Sequence, residues 1–154
     1  MSAETRFTTT VTELANNVGT DFGPSSWHVV GQSDVDVYAD LTGDRNPIHV
    51  DAEYAAASPY RRRIVHGLLT LSMVVPLLRE VFSVSDATMR INYGLNRVRF
   101  PAPVPAGARV RLVGRVANAT PIDGGVQAVL AATFELEGGG KPACVAELVV
   151  RYYA

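Results

Sequence analysis

Between Gly67 and Phe82 the chain is apolar on almost every side of a helix. Leu68, Leu69, Leu71, Met73, Val74, Val75, Leu77 and Leu78 leave no polar face until Arg79 and Glu80. A helix of that kind has to be enclosed on most sides. Pro76 has no N–H to offer the Ser72 carbonyl, so a kink is expected there. The longest uncharged apolar stretch, Ile64 to Leu78, contains His66, Gly67 and Pro76 and falls short of a membrane span. The rest of the fold must therefore supply walls for one buried helix.

The walls lie downstream, where the hydrophobic period changes to two. Thr88 to Phe100 reads as extended and is stopped by Pro101, Pro103 and Pro105. Arg109 to Val116 alternates, with Val110, Leu112 and Val116 on one face and Arg109, Arg111 and Arg115 on the other. Val126 to Leu136 alternates most cleanly, and Cys144 to Tyr152 repeats the pattern through Ala146, Leu148 and Val150. Pro121 to Gly125 and Glu137 to Pro142 carry the Gly and Pro of hairpin turns. Helices in the first half and long antiparallel strands in the second make an α+β chain. One curved sheet wrapped around the apolar helix buries both, which is the hot-dog fold. With 154 residues and no linker or internal repeat, a single domain over 1–154 is expected.

Upstream, Thr10 and Glu13 predict a short helix over Val11 to Val18. Gly19 to Ser26 reads as a loop and Trp27 to Val30 as a short strand, with His28 at the surface. Ser33 with Asp36 predicts a capped helix through Val37, Tyr38 and Leu41, ended by Thr42-Gly43. Asp51 to Ser58 reads as another short helix capped by Asp51, and Ser58-Pro59 breaks it. Tyr60-Arg61-Arg62-Arg63 is a loop.

Composition narrows the class. Apolar residues make up 47% and charged ones 19%, a globular composition, and the net charge is −1 with acids and bases interspersed. No nucleic-acid or membrane partner is expected. The single cysteine, Cys144, excludes an internal disulfide and reads as a small core residue. Met1 to Thr10 is polar and has no signal-peptide core, so a cytoplasmic protein is expected.

Past the helix stop at Gly43 stand an acid and an imidazole five residues apart, Asp44 and His49, with the turn residues Asn46 and Pro47 between them. His66-Gly67 opens the apolar helix, where a backbone N–H is free to face a developing negative charge. Singly, each has a bland explanation: Asp44 as a turn former, His49 as a satisfied structural histidine, Gly67 as a close-packing residue. His66 reads as a polar residue positioning the loop before the helix. Together they hold the groups needed for acid–base chemistry beside a polarised carbonyl.

The stretch Tyr38-Ala39-Asp40-Leu41-Thr42-Gly43-Asp44-Arg45-Asn46-Pro47-Ile48-His49-Val50-Asp51, followed by Ile64-Val65-His66-Gly67-Leu68-Leu69-Thr70, resembles the hydratase motif of MaoC-like (R)-specific enoyl-CoA hydratases. Ile91-Asn92-Tyr93-Gly94-Leu95-Asn96 and Val98-Arg99-Phe100-Pro101 resemble the strand that follows the central helix in that family. The resemblance implies a hot-dog dimer that adds water to trans-2-enoyl thioesters, with Asp44 and His49 as the dyad and Gly67 as the oxyanion donor. Candidate substrate-binding residues are Asn46, Arg61, Arg62, Arg63 and His66. Many family members carry small residues such as glycine where this chain has its three arginines. Those guanidinium groups suit the phosphates of coenzyme A, and Arg97 and Arg99 are lesser candidates for the same task.

No metal-ligand spacing is present, so no metal is expected. No bound cofactor is expected either, because coenzyme A belongs to the substrate and the thioester itself activates the alkene. A homodimer is expected, since one curved sheet leaves an edge strand needing cover. Three readings compete with the CoA hydratase: a dehydratase acting on acyl-carrier-protein thioesters (or as one partner of a heterodimer), a non-catalytic acyl-thioester binding module, and a thioesterase.

Overall fold

The computed structural model describes residues 6–154; the first five residues of the polar N-terminal stretch lie outside it. The chain runs β1 (Phe7–Thr9), a 3₁₀ turn (Leu14–Asn17), β2 (Asp21–Phe22), β3 (His28–Val29), α1 (Gln32–Thr42), α2 (Pro47–Val50) and α3 (Ala52–Ala57). Then come α4 (Gly67–Ser72), α5 (Val74–Val81), β4 (Phe82–Val84), β5 (Met89–Arg99), β6 (Arg109–Ile122), β7 (Gly125–Leu136) and β8 (Cys144–Tyr153). The main sheet is antiparallel in the order β2-β6-β7-β8-β5, with β3 also pairing β6. It curls around α4 and α5, giving the hot-dog fold.

The core is where the alternation placed it. Val110, Leu112 and Val116 of β6, Val126, Ala128, Leu130, Ala132 and Phe134 of β7, and Cys144, Ala146, Leu148 and Val150 of β8 are all buried. They meet Val74, Leu77, Leu78 and Val81 of α5 in one cluster. Burial pushes the Cys144 thiol up to about 11, as befits an inert core group. On the outer face Arg109, Arg111 and Arg115 pair with Glu137, Glu135 and Asp21. Arg111 also lies over the Trp27 ring, 4.6 Å from its centroid.

Five local expectations are revised. The N-terminal helix is only a 3₁₀ turn: Thr10 Oγ1 does accept the Glu13 N–H at 3.2 Å. However, Asn17 Oδ1 is taken by the Thr9 hydroxyl at 2.6 Å, and the Gly19 N–H donates to the Val116 carbonyl at 2.8 Å, drawing the chain into the sheet. The expected loop beyond it accordingly contains β2. The cap of α1 falls at Gly31, not Ser33, because Val30 is tied to Ala108 and Gly107 in the sheet and the helix starts directly afterwards. Asp34 closes that end by accepting the Gly31 N–H at 2.8 Å.

The apolar helix is two helices jointed at Met73, three residues before Pro76, as loss of the Ser72 partner requires. Its end differs as well, since Phe82 already belongs to β4, which pairs in parallel with β1. Nor is the helix enclosed within one chain: Leu68 is 58% exposed, and Leu71, Met73 and Val75 are half-buried. Two signals hold without change. Gly43 ends α1 in the left-handed conformation at φ 78°, and Asp51 caps α3 by accepting the Tyr54 N–H at 2.9 Å. No described helix is long and apolar enough to cross a membrane.

Leu130 is fully buried on the central strand β7, so truncating it leaves a cavity in the core. Leu130→Ala lowers unfolding stability by about 2–5 kcal/mol in urea titration, whereas removing the α3 cap with Asp51→Ala costs only about 1 kcal/mol.

Candidate active site

The site grows from the end of α1. Gly43 reverses the chain, and Thr42 Oγ1, itself donating to the Tyr38 carbonyl at 2.7 Å, accepts the Asp44 N–H at 3.3 Å. Asp44 Oδ1 accepts the Asn46 N–H at 3.4 Å, and Asn46 Oδ1 accepts the Ile48 N–H at 3.3 Å. Pro47 then occupies the first position of α2, where a missing N–H costs nothing. The segment between the acid and the imidazole is thus an Asn-capped turn of helix. Asn46 spends its side-chain acceptor on that cap and does not line the adjoining cavity.

His49 ends up buried at 8% exposure while Asp44 stays at the solvent edge. His49 Nδ1 lies 2.7 Å from the Ile64 carbonyl. A carbonyl only accepts, so Nδ1 carries the hydrogen and Nε2 is left with its lone pair. Burial lowers the basicity of the ring, and the nearby His66 lowers it further, against the opposing pull of the Ile64 carbonyl and the Asp44 carboxylate. The ring is therefore neutral at pH 7. Gln32, at the start of α1, steadies α2 by donating to the His49 carbonyl at 2.9 Å.

His66 lies against this ring, with centroids 3.9 Å apart, and its other neighbour is Tyr38 at 4.8 Å. It is 2% exposed, and its Nε2 donates to the Asp44 backbone carbonyl at 2.9 Å. A buried residue so engaged has no free face for substrate. Next to it, Gly67 is the first residue of α4, whose opening N–H groups lack intrahelical partners. A side chain at 67 would collide with Phe100, whose ring lies 2.9 Å from where Cβ would stand. His49, Tyr60, Gly67, Thr70, Phe100 and Pro103 are among the residues lining a cavity of about 330 Å³.

The arginine loop borders that cavity, because Tyr60 and Ile64 on either side of it are lining residues. Arg61 sits at φ 63°, the left-handed region that glycine favours, at a cost of about 1–2 kcal/mol for a residue with Cβ. The turn is closed by the Arg61 N–H donating to the Ser58 carbonyl at 3.1 Å. Arg61 and Arg62 are exposed and Arg63 half-buried, and none of the three makes an ion pair among the described residues. Arg99 folds back to donate to the Val98 carbonyl at 2.7 Å, and Arg97 lies on the exposed length of β5.

One ligating atom from each of Asp44, His49 and His66 lies within 4.8 Å of the others, a grouping the sequence spacing did not announce. Two of the four ring nitrogens are committed to backbone carbonyls. A cation would have only His49 Nε2, the Asp44 carboxylate and the enclosed His66 Nδ1.

Residues 13–135 match the family described as the MaoC like domain. The chain belongs to the MaoC-like dehydratase family. It is 46% identical over 145 residues to 3-hydroxyacyl-thioester dehydratase Z of Mycobacterium tuberculosis, covering 94% of this chain and 96% of that protein. It is 37% identical over 142 residues to nodulation protein N of Rhizobium leguminosarum, covering 89% and 87%. Among solved structures it superposes on the (R)-hydratase from A. caviae involved in PHA biosynthesis with a TM-score of 0.70 at 30% identity, covering 86% and 94%. This MaoC-like chain is a hydro-lyase of the hydratase/dehydratase type.

The structure brings Asp44 and His49 together with His66 and sets Gly67 on the same cavity as His49; the Ile64 carbonyl, Gln32, Tyr38 and Phe100 join them without any signal in the sequence. Backbone acceptors carry no residue signature, and the three side chains act through contacts between distant segments.

Proton-resolved titration of His49 gives a pKa below the ordinary imidazole value of about 6.5, and Asp44→Asn lowers it further by removing the charge that favours imidazolium. Because the unfolded chain binds this proton more readily, His49 makes stability fall as pH drops below about 6.5.

Proposed function

We propose that the chain catalyses reversible addition of water to trans-2-enoyl-CoA, giving (R)-3-hydroxyacyl-CoA. The observation that carries this reading is the state of His49, a neutral imidazole whose Nδ1–H is spent on Ile64 and whose Nε2 lone pair is free beside Asp44. In the hydration direction, Nε2 takes a proton from water as the hydroxyl adds to C3. Electron density moves to the thioester oxygen, and the Gly67 N–H at the helix start meets it. The imidazolium, steadied by the Asp44 carboxylate, then returns a proton to C2. One water is consumed, both its hydrogens end on the product, and the dyad is regenerated. Such proton transfer contributes about 10²–10⁴ in rate. The thioester activates its own alkene, so the reading needs no cofactor.

The cavity of about 330 Å³ suits the thioester end of the substrate, leaving the nucleotide outside. The exposed arginines beside its mouth would receive the phosphates. A carrier-protein thioester is the second reading, favoured by the same unpaired positive charge, which an acidic carrier would also satisfy. Both readings are of an enzyme acting in the cytoplasm.

A homodimer completes the proposal. β5 is an eleven-residue edge strand whose Ile91, Tyr93 and Leu95 are 39%, 57% and 48% exposed. An apolar groove of about 310 Å³ runs beside it, with Leu71, Val75, Leu95 and Leu148 in its walls. A second copy laid along β5 would cover strand edge and groove together.

Wild-type protein should hydrate crotonyl-CoA to the (R)-alcohol, and Asp44→Asn and His49→Ala should each lose about 10²–10⁴ in kcat while still folding. Replacing Arg61 and Arg62 by Ala should raise KM for the CoA ester but not for a pantetheine thioester. Turnover on the carrier-protein ester alone would select the second reading, free thiol release would indicate a thioesterase, and binding without turnover would leave only a binding module.

Light scattering should give the dimer mass for wild type and the monomer mass for Leu95→Lys. A wild-type monomer at micromolar concentration would end the dimer proposal.

A further inference from the structure

His66 carries an anomaly that packing alone does not explain. Its Nδ1 is buried, with no hydrogen-bond partner. Buried acceptors are rarely left unpaired, because the cost of stripping off water goes unrecovered. Leucine or phenylalanine would fill the same space between Tyr38 and the His49 ring without that cost. The compensating feature is at the other nitrogen, where Nε2–H donates to the Asp44 carbonyl across 22 positions of sequence.

The same residue is the N-terminal cap position of α4. Its carbonyl accepts the Thr70 N–H at 3.0 Å and the Thr70 hydroxyl at 3.3 Å, which fixes the first turn of the helix. Asp44 itself stands on an exposed turn, where its N–H donates to Thr42 Oγ1 at 3.3 Å and its carboxylate accepts the Asn46 N–H at 3.4 Å, both partners being exposed. Among the described residues, the hydrogen bond that ties Asp44 directly to a buried side chain is the one from the His66 ring. Gly67 is bonded to His66 directly. One residue thus joins the two parts of the site that have to act on opposite ends of the enoyl thioester unit.

We propose that His66 is a positioning residue that sets the Asp44 carboxylate relative to the Gly67 N–H. This rests on the hydration reading of the site. The role belongs to Nε2–H, and the imidazole takes no part in proton transfer. A chain of hydrogen bonds from a buried group to an exposed catalytic one is effective because displacement of a reacting group by about 1 Å can cost about 10² in rate.

Two amide variants separate this from a packing role, since the glutamine nitrogen reaches as far as imidazole Nε2 and the asparagine nitrogen reaches only as far as Nδ1. With wild type turning over crotonyl-CoA, His66→Gln should keep kcat within about fivefold, and His66→Asn should lose about 10² in kcat with KM little changed. Equal losses in the two variants, or none in either, overturn the proposal. If wild type has no hydratase activity, the reaction reading fails, and the Asp44 carboxyl ¹³C resonance tests the positioning alone. A shift in His66→Asn but not in His66→Gln supports it, and identical behaviour overturns it. The wild-type long-range ¹H–¹⁵N spectrum decides should His66→Asn not fold: an Nε2–H tautomer at His66 supports the assignment, and an Nδ1–H tautomer removes it.

Discussion

Burial of the jointed helix α4–α5 against β6, β7 and β8 is the constraint on which everything else depends. Val74, Leu77, Leu78 and Val81 have no polar alternative, and they form one cluster with the inward side chains of the sheet. Once α5 is buried, the start of α4 has one place to be, at the open end of the curl. Gly67 and His66 are carried there by the packing of residues seven to fifteen positions downstream. The helix start is therefore positioned by a hydrophobic contact in which neither residue takes part.

The second half of the site arrives along a different route. α1 to α3 form no part of the sheet and are held by the buried side chains of Val35, Ala39 and Ala55 together with a handful of polar contacts. Val30 pairs with Ala108 and Gly107, the Ile64 N–H donates to the Ile48 carbonyl at 3.1 Å, and the two histidines donate to Ile64 and Asp44. Each histidine holds a backbone carbonyl of a segment distant from itself, and the two rings stack on each other. This arrangement orients His49 by committing one of its nitrogens to the backbone and leaving the other with its lone pair. Burial of the ring keeps that nitrogen unprotonated at neutral pH, so a single placement fixes both the orientation of the ring and its proton state.

The surface of the protomer is less finished than its core. Leu68, Tyr93 and Leu95 remain exposed next to an apolar groove, although the same helix is apolar nearly all round. A helix patterned for enclosure and found half open indicates that one curl of sheet is too short to cover it. The arginine loop shows a similar excess of local cost over local benefit. Arg61 occupies a backbone conformation suited to glycine and makes no ion pair among the described residues.

The sequence by itself determined the four long strands, the apolar helix and its kink, the helix stop at Gly43 and the cap at Asp51, and it put Asp44, His49 and Gly67 forward as candidates. All of these follow from local rules: periodicity, missing N–H groups, and side chains that bond to their own backbone a few residues away. Only the tertiary structure decided the cap of α1, the shrinking of the first helix to a 3₁₀ turn, and the contacts of Asn46 and His66. Those outcomes turn on competition between a local signal and a contact with a distant segment, as when Gly19 is drawn into the sheet by Val116. The tautomer of His49 belongs to the same group. It is set by the carbonyl of Ile64, fifteen residues away and invisible in any residue name, because every residue has one.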